Sequence, residues 1–354
     1  MAALKKTLTS LAFTLASLAF LGTLVVLCTL GQVEIGTFNA IDKYFRAFWL
    51  WTQVPGTDVM VPCFPGGGAV GLLLAANLGA VLLWRLQRTR RKAGLWLVHV
   101  GLASFVVGEF VTGMLAVERQ MPIDEGASMD YAENSRLDEL VVVDVTDPAA
   151  DTVYAVEEGA LRDGRVLSHP SWPFTVRVEA YFPNAEVADR PAVPGLPASL
   201  ADQGIGPLVV MRPLPPVSRD DRRTLPAAYV QVKEGPETRG TWLLSSAITA
   251  PQEFSAAGRR WSLALRAERG YLPFTLTLKD FKHDKYAGTD IPKNFSSLVR
   301  LTDPANGTDR DVLIYMNTPL RYGGYTFYQA SFAKADTMSV LHVVRNPGWL
   351  LPSF

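Results

Sequence analysis

The chain has little cysteine, little histidine and no net charge. Its 354 residues include two cysteines and four histidines, and 34 lysines and arginines balance 34 aspartates and glutamates. Cys28 and Cys63 do not form a CxxC pair, so the sequence lacks a thioredoxin-like redox motif. The neutral charge balance argues against a nucleic acid as partner. The sequence also lacks a GxSxG motif, an HExxH motif and a Gly-rich phosphate loop, so it indicates no catalytic constellation.

Hydrophobic residues are concentrated in three apolar runs before residue 116. The runs near 8–30, 67–84 and 93–115 are each long enough to span the hydrocarbon of a bilayer. The first run is longer than the apolar region of a signal peptide, so an uncleaved span is favoured. The second run contains Asn77, which we expect to bond to a neighbouring helix.

Basic residues predict the orientation of these spans. The short loop 85–92 is rich in arginine, and Trp84 and Trp96 flank it. The positive-inside rule places this loop and Lys5 and Lys6 in the cytoplasm. The residues after 115 are then predicted to lie outside a bacterial cytoplasmic membrane, in the periplasm.

The loop between the first two spans contains apolar and aromatic residues at helical spacing. They are Ile41, Tyr44, Phe45, Phe48 and Trp49. This pattern predicts a short amphipathic helix near 40–51 that lies on the outer membrane surface. The alternative is a hairpin-like loop packed on the domain that follows.

The third apolar run contains a histidine, His99. An ionisable residue inside a span is costly and marks a candidate functional site, and neutral imidazole is the commonest metal ligand in proteins. At the rise of an α-helix, His99 lies about 10 Å from the basic loop, in the cytoplasmic half of the membrane. Gly94, Gly101 and Gly108 recur on a roughly opposite face, which we expect to pack within the bundle and to leave the His99 face toward a partner or cofactor. A histidine that only bonds to another helix is the alternative.

The rest of the chain is predicted to be β-rich. Short runs with period-two alternation, separated by turn signals, indicate antiparallel sheets in a β-sandwich or open barrel. A Pro-rich stretch near 183–216 is predicted to be an insertion loop. The predicted fold is therefore a membrane α-helical bundle of three transmembrane helices (residues 1–115) plus an all-β extracytoplasmic domain (residues 116–354).

The other histidines and the cysteines do not suggest a second site. His169, His283 and His342 are far apart and lack metal-ligand spacing. His283 is predicted in a solvated turn and His342 in a strand. Cys28 is predicted in a span and Cys63 in a loop, so we expect no disulfide between them, and a reactive thiol at Cys63 is not favoured.

Four features resemble the ResB family of cytochrome c biogenesis proteins. They are the phrase at 31–40 with Tyr44 and Phe45, the histidine of the third span, the phrase at 280–297, and the phrase at 314–332. The last phrase is the longest and the most specific. The resemblance extends over nearly the whole chain.

The resemblance implies a cargo and partners. ResB-like proteins work with a second membrane protein, CcsA or ResC, in the System II route, which moves haem across the membrane and attaches it to CxxCH motifs of apocytochromes c. In that family a histidine of the third span is a haem ligand, and the matching position here is His99. The implied cofactor is transient haem b, with its iron bound by His99 and by a ligand from a partner helix. The chain would be a partial subunit of the haem lyase.

One feature departs from the family. A usual member has a fourth span after the outer domain, whereas this sequence stops at 346–354, in a phrase that resembles the approach to that span. Either the sequence is truncated or the helix is lost. The alternative function, from another class, is a cofactor-free scaffold that anchors a periplasmic β domain for cytochrome assembly, with His99 as a helix-packing residue.

Overall fold

The computed structural model describes residues 2–57, 59–190, 199–215, 223–285, 288, 292–333 and 337–348. Its helices are α1 (Ala2–Leu8), α2 (Leu11–Ile35), α3 (Thr37–Ile41), α4 (Gly67–Ala80) and α5 (Ala93–Leu115). Single π-helical turns extend α3 to Arg46 and α4 to Arg85. Three stretches are long and apolar enough to cross a membrane, namely Leu11–Ile35, Gly67–Arg85 and Arg90–Leu115. The three predicted apolar helices of membrane-spanning length are therefore confirmed.

Local signals fix the ends of α2. The hydroxyl of Ser10 accepts a hydrogen bond from the Phe13 N–H at 3.1 Å, as a helix N-cap does. Gly36 ends the helix with φ of 77°, a conformation that only glycine adopts freely. The chain can therefore turn directly into α3.

A buried amide joins the first two spans. The side-chain NH₂ of Asn77 in α4 donates to the Leu8 carbonyl at 2.5 Å, and the hydroxyl of Thr14 in α2 donates to Asn77 Oδ1 at 2.9 Å. Asn77 is 4% exposed. The prediction that Asn77 bonds to a neighbouring helix is confirmed.

The segment between the spans is part helix and part hairpin. The helix predicted near 40–51 ends at Arg46, and β1 (Trp49–Gln53) and β2 (Met60–Pro65) then form an antiparallel hairpin. The prediction is therefore wrong after Arg46, because the aromatic residues of β1 favour a strand and a Pro55-Gly56 turn follows them. The hairpin packs on the spans, where Leu50 joins a buried cluster with Leu24 and Val70.

The β domain contains the remaining strands. They are β3 (Val117–Asp124), β4 (Ser128–Asp144), β5 (Thr152–Glu157), β6 (Val166–Leu167), β7 (Thr175–Phe182), β8 (Ala185–Asp189), β9 (Val209–Pro213), β10 (Ala227–Glu234), β11 (Glu237–Ser245), β12 (Gln252–Ala256), β13 (Arg259–Lys285), β14 (Pro292–Asp303), β15 (Thr308–Tyr315), β16 (Leu320–Tyr322), β17 (Tyr325–Ala333) and β18 (Met338–Arg345). Ten of them form one sheet, ordered β15-β14-β13-β4-β3-β18-β17-β16, with β5 beside β4 and β12 beside β13.

This large sheet serves two cores. One half curls into a nearly closed barrel around residues such as Met121, Leu276 and Phe327. The other half faces a four-stranded sheet, ordered β11-β10-β7-β6, across a core that includes Trp172 and Trp261. Sandwich and barrel were the two predicted classes, and the domain combines them.

The Pro-rich stretch is more ordered than predicted. Strands β8 and β9 pair with each other, and Ala185 and Met211 pack against Tyr229 of the four-stranded sheet. The prediction of an insertion loop is wrong for these strands, because their alternating apolar residues cover a sheet face. Residues 191–198 of the stretch lie outside the described residues.

Candidate ligand site on the third membrane helix

The start of α5 is fixed by its aromatic and basic neighbours. The indole N–H of Trp96 donates to the Gln87 carbonyl at 3.3 Å, and the guanidinium of Arg88 lies over the Trp96 ring at 5.6 Å. A 3-10 turn, Arg90–Lys92, leads into the helix. These contacts hold the basic loop beside the first turn of α5, one turn before His99.

The hydrogen bond of His99 defines which ring nitrogen can bind a ligand. Nδ1 lies 2.8 Å from the carbonyl oxygen of Leu95, one turn earlier in the same helix. A carbonyl oxygen only accepts, so Nδ1 carries the hydrogen. In the neutral ring Nε2 then keeps its lone pair. Histidines that bind metals commonly have this arrangement, in which the other ring N–H donates to a backbone carbonyl.

The glycine face of α5 does not pack as predicted. A Cβ built on Gly94 or Gly101 would meet no atom within 4 Å, although Gly108 is buried. The half-buried residues in this part of the helix include Trp96, His99 and Ala103, which lie on the side of the imidazole. The prediction is therefore wrong for Gly94 and Gly101, because the described chain covers the histidine side instead. His99 itself is half-buried, so a ligand could approach its ring from the edge of the helix bundle.

The other histidines lie elsewhere. The ring of His169 packs at a tilt against that of Tyr154, with ring centroids 4.6 Å apart. His342 lies in β18, as predicted, with Nε2 3.5 Å from a carboxylate oxygen of Glu118. His283 lies near the end of β13, where its ring stacks on Phe295 and packs at a tilt against Phe332. Its prediction in a solvated turn is wrong, because the strand continues to Lys285.

The structure does not assemble a multidentate metal site. Among the described residues, no group of three or more histidines, cysteines, aspartates and glutamates could hold a metal ion. Cys28 and Cys63 are both free, and the thiol of Cys63 donates to the Leu50 carbonyl at 3.3 Å. His99 is the sole histidine of the described membrane helices, so these helices can offer one imidazole nitrogen to a ligand.

A buried polar cluster in the β domain was missed by the sequence reading. Asp138 in β4 is 2% exposed, and its Oδ1 accepts from the Arg223 guanidinium at 2.7 Å. Its backbone N–H donates to Glu158, whose carboxylate also accepts from the Tyr181 hydroxyl. Burial raises the pKa of Asp138 to about 6, although Arg223 acts to lower it. Burial and the bond to Glu158 raise the pKa of Tyr181 as well. The available signal in the sequence was the carboxylate just before the apolar run 140–143, within β4.

The chain is similar to known proteins over part of its length. Residues 228–348 match the model of the ResB-like family. Protein NrfI of Wolinella succinogenes is 38% identical over 77 residues, which are 22% of this chain and 8% of NrfI. The family match begins in β10 and includes the phrases at 280–297 and 314–332, whereas His99 lies outside it. Both findings confirm the resemblance predicted from the sequence.

Proposed function

We propose that this chain, a ResB-like protein, takes part in cytochrome c biogenesis as a membrane subunit that binds and relays haem. The observation that carries the proposal is the state of His99. Its Nδ1–H is committed to the Leu95 carbonyl at 2.8 Å, so Nε2 is the nitrogen available to iron. Imidazole is a common axial ligand of haem, and an apolar helix around it keeps water from the iron.

The surroundings of His99 fit a large apolar cargo. The nearby helix surface is apolar and open, with Leu95, Val98 and Leu102 between 46% and 65% exposed. In this proposal the macrocycle lies against that surface, and His99 holds and orients it. Haem supplies the iron that is bound and the group that is later attached to the apocytochrome.

The proposal assigns one axial ligand to this chain and requires a partner. No second imidazole lies on the described spans, so a CcsA-like membrane protein would supply the other ligand. The β domain would then receive the apocytochrome c or the partner outside the membrane. We place the basic loop in the cytoplasm by the positive-inside rule, which puts the β domain in the periplasm.

The test is a maturation assay in a bacterial host that lacks its own cytochrome c maturation system. The chain is expressed with a CcsA-like partner and with a reporter that contains one CxxCH motif, and covalent haem on the reporter is measured by gel stain. We expect His99→Ala to lower haem attachment at least tenfold at equal protein level, because one axial ligand is lost.

The matched control is His342→Ala. His342 lies on a strand of the β domain, and its imidazole is 37% exposed, with Glu118 and Tyr328 beside it. This variant is expected to retain haem attachment. Equal haem attachment in the wild type and in His99→Ala would overturn the proposed role of the imidazole.

A further inference from the structure

The hairpin between the first two spans has an unusual surface. Residues 47–66 contain a single charged residue, at position 58. On the described part of the hairpin and its approach, large apolar side chains are about half exposed: Phe48 is 53%, Trp49 52%, Trp51 53% and Met60 52% exposed. In water, an apolar surface of this kind would favour association of the chain with other protein molecules.

The hairpin is fixed to the spans by its opposite face. Leu50 is 5% exposed and packs with Leu24 of α2 and Val70 of α4. The ring of Phe64 lies 5.2 Å from that of Phe20. The side chains of Trp49 and Trp51, on either side of Leu50, are instead about half exposed. The pairing of β1 with β2 is irregular between Leu50 and Trp51, so the exposed fractions, and not strict alternation along the strand, show that both tryptophans lie on the open side of the hairpin.

The backbone connection leaves the hairpin little freedom to move away. A Cβ on Gly67, the first residue of α4, would lie 2.5 Å from the Phe45 carbonyl oxygen. The Gly66 N–H donates to the Phe48 carbonyl at 2.8 Å. The start of α4 is thus in close contact with the chain that enters the hairpin.

The level of the hairpin follows from the length of the second span. Gly67 and Arg85 are separated by about 27 Å at the rise of an α-helix, which is close to the thickness of the hydrocarbon. Arg85 lies at the end with the basic loop, where its guanidinium donates to the Thr9 carbonyl. The hairpin adjoins Gly67 and therefore lies at the opposite boundary of the membrane, on the side of the β domain.

We propose that this hairpin is embedded in the membrane–water interface at the β-domain end of the spans, with the lipid bilayer as its partner. Its apolar face continues the exposed surface of the spans, which includes Val26 at 58% and Leu72 at 58%. Tryptophan prefers this depth. The unpaired edges of a two-stranded hairpin need water or headgroups, so the strands lie at headgroup depth and not in the hydrocarbon.

The test measures the depth of a spin label on the full chain in nanodiscs of phosphatidylcholine and phosphatidylglycerol. In a Cys28→Ala background, Cys63 of β2 is the sole cysteine and is exposed. A nitroxide is attached there, and its collisions with oxygen, which partitions into lipid, are compared with its collisions with a water-soluble nickel chelate. A label on Trp51→Cys, in a chain that also contains Cys28→Ala and Cys63→Ser, repeats the measurement with residue 63 unlabelled, so that a side-chain hydroxyl there can still donate to the Leu50 carbonyl.

Two control sites calibrate the result in a background that contains both Cys28→Ala and Cys63→Ser and therefore has no other cysteine. Val26→Cys lies on the exposed side of α2, and Glu237→Cys lies in the β domain with its side chain 65% exposed. We expect the oxygen-to-nickel ratio at both hairpin sites to exceed that at residue 237 several-fold and to approach that at residue 26. A ratio equal to that at residue 237 would place the hairpin in water. Shielding from both reagents would show that protein, such as a second copy of the chain, covers it; either result overturns the proposal.

Discussion

Asn77 shows how one polar side chain stabilises the membrane bundle. It links the Leu8 carbonyl and the Thr14 hydroxyl across two helices. Replacement of Asn77 by Leu removes both bonds, and we expect a loss of about 1 kcal/mol, since interhelical hydrogen bonds in membranes contribute about 0.6–2 kcal/mol. The measurement is unfolding of the chain in mixed micelles with increasing denaturing detergent.

The control for Asn77 is Thr23→Ala. The Thr23 hydroxyl donates to the Ala19 carbonyl of its own helix, so its loss removes no bond between helices of the described chain and is expected to change stability little. If the Asn77 and Thr23 variants unfold at the same detergent fraction as the wild type, the interhelical role of the amide is wrong.

Asp138 makes a pH-dependent contribution to the stability of the β domain. Its pKa is raised from 3.8 to about 6 by burial, so the folded state resists ionisation. The unfolded chain binds fewer protons than the folded chain between these values, and the contribution of Asp138 therefore becomes less favourable as pH rises from about 4 to 6. Each unit of raised pKa corresponds to about 1.4 kcal/mol.

The corresponding variant is Asp138→Asn, which cannot ionise. We expect the stability of the wild type relative to this variant to fall by about 3 kcal/mol between pH 4 and pH 7, from the pKa difference and the value per unit. Asp144 and Asp303 have lowered pKa values, mainly through hydrogen bonds from Thr146 and from Asn306. Because both residues are present in the wild type and in the variant, their contributions to the pH dependence cancel in the difference between the two proteins. Thermal unfolding at several pH values measures the difference, and a constant difference would refute the prediction.

For single residues, the sequence was informative where a residue differs in polarity from its neighbours along the chain. Asn77 and His99 stand out because polar groups are rare inside apolar runs. The contact between Asp138 and Arg223 joins residues 85 positions apart, and no local pattern specifies such a pairing. For the same reason, the glycines of α5 did not reveal which face would be covered.

Among the elements, the connection between α2 and α4 shows the limit of helical periodicity. The spacing from Ile41 to Trp49 fits a helix, and the helical part ends at Arg46. Beyond Arg46, the turn at Pro55-Gly56 and the pairing of β1 with β2 determine the structure instead. The strongly alternating strands of the β domain were predictable because one face of each strand contacts the core and the other contacts water, so that apolar and polar residues alternate.

A stacked contact connects this segment to the β domain. The ring of Phe38 in α3 has the Arg136 guanidinium 3.8 Å and the Arg46 guanidinium 5.3 Å from its centroid. Arg136 belongs to β4, so Arg136→Ala weakens the link between the two regions. A cation–π contact of this kind is worth about 0.5–2 kcal/mol, and we expect amide hydrogen exchange over residues 37–46 to rise a few-fold.

The comparison variant for this contact is Arg310→Ala. Arg310 lies exposed on β15, on the far part of the barrel sheet. Its removal is expected to leave the exchange of residues 37–46 unchanged. Unaltered exchange in Arg136→Ala as well would show that the stacked contact does not hold α3.

On the scale of the whole molecule, the two cores of the β domain share their longest strands. β4 pairs with β13 along both the sandwich half and the barrel half. The two halves are therefore expected to unfold together. The sequence indicated both classes without deciding between them, because each half alone has the same alternating pattern, and the continuity of two long strands is a property of the assembled sheet.

A barrel variant tests this cooperativity. Phe327 is fully buried in the barrel core, so Phe327→Ala is expected to cost about 3–5 kcal/mol. Hydrogen exchange should accelerate in β10 of the sandwich as much as in β17 of the barrel, whereas Leu313→Ala, at a side chain that is 50% exposed, should change both little. Retained protection of β10 in Phe327→Ala would mean that the halves unfold independently.

The most direct test of the proposed haem relay is the visible absorption spectrum of the chain purified from membranes after co-expression with a CcsA-like protein. The wild type is compared with His99→Gly, with and without added imidazole. The account predicts a haem band in the wild type, its loss in the variant and its return with imidazole, because the free ring replaces the missing ligand. Absence of haem from the wild type, or equal haem in both proteins, would contradict the role of His99 and favour a cofactor-free scaffold.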